Sequence, residues 1–161
     1  MKRIATCVVM SAFVVFFTGF SAEKTPKKAP HFSLKTADGT VIDLSKLKGK
    51  TIVVNFWATW CGPCRAEIPA FLEVYEKYKS KGLEIVGISL DQGGWSDVTP
   101  FVKKFNIVYP VVIGDEKLTK QYGGVDAIPT TFIIDKNGVI VDKHVGGLRK
   151  ENLENLIKGI L

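Results

Sequence analysis

Two of the three cysteines have two residues between them, in Trp60-Cys61-Gly62-Pro63-Cys64. Cysteines at that spacing on one helical turn bring their sulfurs close enough for a disulfide that opens and closes. Gly62 permits a tight turn, and Pro63 suits a first helical position because its φ is already fixed. The run before the pair, Thr51-Ile52-Val53-Val54-Asn55-Phe56-Trp57, is β-branched and aromatic and predicts a buried strand. After it, Ile68, Phe71, Leu72 and Tyr75 recur at three- and four-residue steps, which predicts a helix. The pair therefore sits where strand gives way to helix, among unpaired N–H groups at the positive end of the helix dipole. A thiolate is stabilised there. Cys61, at the very end of the helix, is expected as the exposed nucleophile, and Cys64, one turn in, as its shielded partner.

An inert structural disulfide or half of a metal site would use the same residue types. A structural disulfide gains most from closing a long loop, and this loop is nearly the shortest there is. A zinc site usually takes four ligands, but only His31 and His144 are available as histidines and no second Cys-x-x-Cys exists. A working redox couple is favoured, with no metal and no cofactor expected.

At 161 residues, 46% hydrophobic and 24% charged, the chain can build one ordinary core and is not a disordered polymer. The net charge is +6. Met1 to Ala22 holds Lys2 and Arg3 and no acid, so the rest carries 20 basic against 16 acidic side chains. An excess this mild, evenly spread along the sequence, argues against a nucleic-acid partner. Lys2-Arg3, the uncharged apolar stretch from Ile4 to Phe20, and the small residues of Gly19-Phe20-Ser21 form a targeting segment. Seventeen apolar residues reach about 26 Å as a helix, slightly short of a bilayer core of about 30 Å. Cleavage is therefore favoured over a retained anchor, and the domain is expected to be exported and periplasmic in either case. Residues 1–22 are then a signal peptide or N-terminal anchor, 23–30 a solvated Lys/Pro linker, and 31–161 one domain. Cys7 falls in the leader, which leaves Cys61 and Cys64 as the exported domain's only cysteines.

Further along, His31 to Lys35 and Thr40 to Asp43 predict a hairpin through Asp38-Gly39, followed by a polar loop over Ser45 to Lys50. The helix after Cys64 should reach about Lys81, kink at Pro69 and end at Gly82. Leu83 to Leu90 predicts a strand, and Ser96 or Asp97 a cap for a helix to about Phe105. Val108 to Ile113 predicts another strand, and Asp115 to Tyr122 a short helix. Phe132 to Asp135 and Val139 to Val145 flank an Asn137-Gly138 turn, which forces an antiparallel pair and so a mixed sheet. The helical face Leu153, Leu156, Ile157, Ile160 and Leu161 should cover it.

The stretch Asn55-Phe56-Trp57-Ala58-Thr59-Trp60-Cys61-Gly62-Pro63-Cys64-Arg65 resembles the active-site segment of the thioredoxin superfamily. It is most similar to the exported TlpA/ResA-type thiol–disulfide oxidoreductases, and the resemblance runs from about Ala29 to the C-terminus. It implies an α/β thioredoxin fold, a mixed central sheet flanked by helices, with an N-terminal β-hairpin and a central α/β insertion. It implies that Pro129, in Ile128-Pro129-Thr130-Thr131, is cis and faces the cysteines, leaving the extended backbone at Ile128 to pair with a substrate segment. Trp60 would shield the disulfide and offer a flat contact surface, and Trp57 would be core. Gly62-Pro63 is the dipeptide of reducing thioredoxins, so the implied activity is protein-disulfide reductase. Its partners would be disulfide-containing proteins, apocytochrome c among them, with a membrane thiol electron donor to recharge it.

One departure bears on mechanism. Six residues before Cys61, where thioredoxin has a buried aspartate serving as proton acceptor, stands Asn55, which cannot titrate. Glu67 and Asp91 are the candidates for that acid/base role, each with a solvated surface carboxylate as its plainer alternative. Arg65 could steady the thiolate but reads better as a solvated helix residue. A thiol-dependent peroxidase and a copper-binding module using His144 are the competing functions.

Overall fold

A computed structural model describes residues 27–161; the expected leader, residues 1–22, and the first part of the expected linker lie outside the described residues. Strands β1 (Ser33–Lys35) and β2 (Val41–Asp43) form the antiparallel hairpin expected around Asp38-Gly39, with Leu34 opposite Ile42. Strands β3 (Thr51–Trp57), β4 (Leu83–Ser89), β5 (Val111–Ile113), β6 (Thr130–Ile134) and β7 (Ile140–Val145) make the central sheet. Its order is β5-β4-β3-β6-β7. The β3, β4 and β5 strands are parallel, while β6 and β7 run antiparallel to their neighbours, so the sheet is mixed. Helices α1 (Gly62–Tyr78), α2 (Trp95–Lys104), α3 (Glu116–Gln121) and α4 (Lys150–Lys158) complete the α/β fold.

Every residue of β3 and β4 is buried, as central parallel strands covered on both faces must be. Side chains alternate across β3. Val53 points into a core built with Ile68, Phe71 and Val74 of α1 and Leu153 and Ile157 of α4. Ile52, Val54 and Phe56 point into a second core with Val86, Tyr122 and Phe132. In that second core Tyr122 packs edge-on against Phe56 and Phe132, at centroid distances of 5.3 and 4.9 Å. Each large apolar side chain so buried stabilises the fold by about 1.5–3 kcal/mol. Gly87 of β4 leaves room for Trp57, since a Cβ there would stand 2.9 Å from Trp57 Nε1.

Several expectations shift. Residues 27–30 are not a free tether: Ile140 N–H donates to the Lys27 carbonyl and Ala29 N–H to that of Gly138, both at 2.9 Å. The segment is held because the β6–β7 hairpin offers it backbone partners. The expected polar loop starts with a 3₁₀ turn over Leu44–Leu47, capped by Asp43. Helix α1 ends at Tyr78 and passes into a 3₁₀ turn over Lys79–Lys81; it runs through Pro69, which is exposed and leaves the Arg65 carbonyl without its helical donor. Helix α2 starts at Trp95 after Gly94 (φ 57°), without a side-chain cap; Asp97 accepts instead from Gly93 N–H at 3.1 Å. The strand expected from Val108 holds only from Val111, since Pro110 precedes it and Val108 is exposed.

Candidate active site

Strand β3 ends at Trp57 and α1 begins at Gly62, and that junction sets Cys61 and Cys64 in place. The two form a disulfide, with Cα atoms 5.3 Å apart. Cys61 is the N-cap of α1, in extended backbone conformation, and its Sγ accepts the Cys64 N–H at 3.2 Å. A backbone donor already aimed at sulfur is the interaction that would hold a thiolate at this atom. Pro63 occupies the helix start, where no N–H is required.

Cys64 is 1% exposed and Cys61 5%. The order is the expected one, but Cys61 is far less open than the sequence suggests. The loop before β6 lies against it: the Ile128–Pro129 bond is cis, Pro129 is buried, and the Ile128 carbonyl oxygen is 3.7 Å from Cys61 Sγ. Trp60, expected as a shield, is 69% exposed and presents its ring to solvent beside the disulfide. Trp57 is buried and packs on Phe101 of α2.

Glu67 lies one turn beyond Cys64 on α1 and is 3% exposed. Its Oε1 accepts from Asn55 Nδ2 and its Oε2 from the Leu148 N–H, each at 2.9 Å. Asn55 Nδ2 also donates to Thr131 Oγ1 at 3.0 Å. Burial raises the Glu67 carboxyl to about 7 despite the opposing pull of the Leu148 and Asn55 hydrogen bonds. A cleft of about 200 Å³ between Pro63 and Ala66 on one side and Gly147 to Arg149 on the other has Glu67 in its wall. A larger hollow of about 470 Å³ lies between the β1–β2 hairpin and α2, and neither cysteine lines it.

Asp91 is also buried, but its oxygens are taken. They accept from Thr59 N–H at 3.0 Å, Thr59 Oγ1 at 2.6 Å and Ser89 Oγ at 2.8 Å, fastening the loop that carries Trp60 to the end of β4. Arg65 is exposed and joins no salt bridge among the described residues. His144 stands on β7 opposite Thr131, which itself stands opposite Asn55. Among the described residues no three His, Cys, Asp or Glu side chains converge as a metal cluster would. Thr131, Leu148, Thr59 and Ser89 hydrogen-bond Asn55, Glu67 and Asp91, and sequence reasoning assigned them no such contact. Two adjacent threonines opening an apolar strand were a usable signal for Thr131, whereas Leu148 acts through its backbone and leaves none.

Residues 24–157 match the Redoxin family. The chain is 39% identical to the thiol-disulfide oxidoreductase ResA of Bacillus thuringiensis (strain Al Hakam), over 98% of this chain and 94% of that one. It is 35% identical to the thioredoxin-like protein YneN of Bacillus subtilis (strain 168), over 91% of this chain and 92% of that one. Among solved structures, a putative thiol:disulfide interchange protein DsbE from Chlorobium tepidum is 36% identical and superposes with a TM-score of 0.78. That match covers 84% of this chain and 96% of the other. With its cysteine pair at a capped helix start beside a cis-proline loop, the chain belongs to the redoxin family of thioredoxin-fold proteins, among relatives of the ResA type.

Proposed function

We propose that the protein is a thiol–disulfide oxidoreductase that reduces disulfides in exported partner proteins. The observation that carries this reading is the Cys61–Cys64 disulfide at the start of α1, with a backbone N–H already directed at Cys61 Sγ. In the reduced enzyme the Cys61 thiolate attacks one sulfur of a partner disulfide, and the other partner sulfur leaves and takes a proton. Cys64 then gives up its proton and attacks Cys61 Sγ. The second partner sulfur leaves, the partner carries away two electrons, and Cys61–Cys64 is oxidised.

Glu67 is the proton acceptor for Cys64 in this scheme. A carboxyl raised to about 7 is near the balance point for taking and returning a proton at neutral pH. The cleft beside Gly147 has Glu67 in its wall. Asp91 serves as a positioning residue, through Thr59. Trp60 contacts the incoming partner with its exposed ring, and the Ile128–Pro129 backbone pairs with the partner's extended segment. Apocytochrome c awaiting haem attachment is the partner that the family resemblance favours, with a membrane thiol carrier as electron donor. The Lys2-Arg3 and apolar leader supports export to the periplasm, as a cleaved soluble domain or on an anchor.

The test is the reduction potential of the Cys61–Cys64 couple, by equilibration with glutathione or dithiothreitol. A value at or below about −230 mV is expected for a reductase, and one above about −180 mV would overturn that direction.

A further inference from the structure

The sequence scatters its lysines evenly, but the fold collects them. Strand β3 starts at Thr51, at the end of the sheet opposite the disulfide, and this end gathers loops from distant parts of the chain. Thr51 N–H bonds the Gly82 carbonyl, Gly49 N–H the Lys136 carbonyl, and Thr51 Oγ1 the Ile160 carbonyl. Lys28 Nζ reaches the Asn137 carbonyl at 2.8 Å. Lys28, Lys46, Lys48, Lys81 and Lys136 are all exposed here, and none is salt-bridged among the described residues.

Four more lysines at this pole are tied to carboxylates, as Lys50 to Glu84, Lys79 to Glu76, and Lys77 and Lys158 to Glu154. Asp43 and Asp135 complete the local acids. Asp43 is paired with His31, and Asp135 accepts turn N–H groups. The pole thus holds nine lysines against five carboxylates, and the remaining described residues balance at ten basic and ten acidic. The whole positive excess of the described domain sits at one end.

The first described residues lie near the same end and run toward it, antiparallel to the start of β7. The Lys27 and Lys28 backbones lie along Ile140 and Val139, and six residues separate Lys27 from the apolar stretch that closes at Phe20. Extended, that connection spans at most about 25 Å. An apolar stretch seated in a bilayer would therefore keep Lys27 and Lys28 within reach of the headgroups.

We propose that this pole is a docking surface for anionic phospholipid headgroups. The seven residues of β3 and the loop beyond it then hold the disulfide and Trp60 roughly 20 Å or more from the bilayer, facing away. Lysines near such a surface are attracted additively and lose that attraction as salt screens it. The inference rests on charge placement and on the position of the first described residues, and it holds whichever way the disulfide transfers electrons.

The test uses the full chain, reconstituted into vesicles of phosphatidylcholine alone or of phosphatidylcholine with phosphatidylglycerol. Lysines are then mapped by brief amine acylation and mass spectrometry. In anionic vesicles at low salt, Lys46, Lys48, Lys81 and Lys136 should react roughly threefold more slowly, and recover at about 0.5 M NaCl. Lys103, Lys104 and Lys117, elsewhere on the domain, should not change. Combining Lys46→Glu, Lys48→Glu and Lys136→Glu should abolish the protection of Lys81. Equal labelling in both lipids, or protection spread equally over Lys103 and Lys104, would overturn the proposal without touching the assigned redox chemistry.

Discussion

Replacing Glu67 with Gln isolates the cost of burying a carboxylate one turn below the cysteines. The native carboxyl holds its proton to about 7, against 4.5 in the unfolded chain. Because the folded value is the higher one, this group's favourable contribution is fully present below about pH 4.5 and is lost as pH rises through about 7. At about 1.4 kcal/mol per pH unit, the loss between those limits is about 3 kcal/mol. Glutamine carries no charge at any of these pH values. It can accept from only one of the two donors, Asn55 Nδ2 and Leu148 N–H, which costs it about 1 kcal/mol unless Asn55 turns over. About 0.8 kcal/mol of that loss has already occurred at pH 5, so in urea unfolding of the oxidised proteins E67Q should be about as stable as the parent at pH 5 and about 2 kcal/mol more stable at pH 8. Other titrating groups are common to both proteins and cancel in the difference. A stability difference that stays constant within about 0.5 kcal/mol from pH 5 to pH 8 would refute the assignment of a raised Glu67.

The Cys64→Ser variant keeps the nucleophile and removes the resolving sulfur, so it should accumulate a mixed disulfide through Cys61. Non-reducing gel electrophoresis with a disulfide-bonded protein substrate reads this directly, and release without accumulation would speak against the order of attack. Trp60→Ala should change stability by less than about 0.5 kcal/mol because the ring is exposed. It should slow reduction of a protein disulfide severalfold while leaving exchange with dithiothreitol unchanged; equal slowing of both would show that Trp60 does not act through partner contact. Asp91→Ala leaves Thr59 N–H and the Thr59 and Ser89 hydroxyls without their acceptor, and should lower stability by about 2–3 kcal/mol in the same urea assay.

The parts that were legible in the sequence are those set by short-range pattern. The strand before Cys61, the helix after Cys64 and the Asp38-Gly39 and Asn137-Gly138 turns all follow from residue spacing that local sterics enforce. Cap positions were harder, because Gly94 begins α2 with backbone alone while Ser96 and Asp97 offer tempting side chains a turn too late. The anchoring of residues 27–30 was hidden because nothing in a Lys/Pro-rich stretch announces that a distant hairpin will pair with its carbonyls. Exposure at Cys61 was misjudged for the same reason: its cover comes from Ile128 and Pro129, far along the chain.

The choice between Glu67 and Asp91 shows where sequence reasoning stops and geometry takes over. Both are carboxylates near the cysteines in sequence or sheet order, and both are buried. What separates them is what surrounds their oxygens. Asp91 meets a backbone N–H and two hydroxyls, enough donors to make it a fixed acceptor that braces Thr59. Glu67 meets two donors in an apolar setting, which is too little to offset its burial, and it keeps an affinity for a proton near neutrality. Asn55 then has a use that its inability to titrate had obscured. It stands on β3 where an aspartate would compete for the same proton, and instead it donates to Glu67 and is itself placed by Thr131 of β6. In the proposed mechanism the proton-accepting carboxyl stands on the helix, oriented by Asn55 of β3 and by the Leu148 amide after β7. A double replacement, Asn55→Asp with Glu67→Gln, follows from that geometry. If only the proton acceptor matters, it should restore the rate of mixed-disulfide resolution that E67Q alone loses; if Glu67's place beside the Gly147 cleft matters, the rate should stay low.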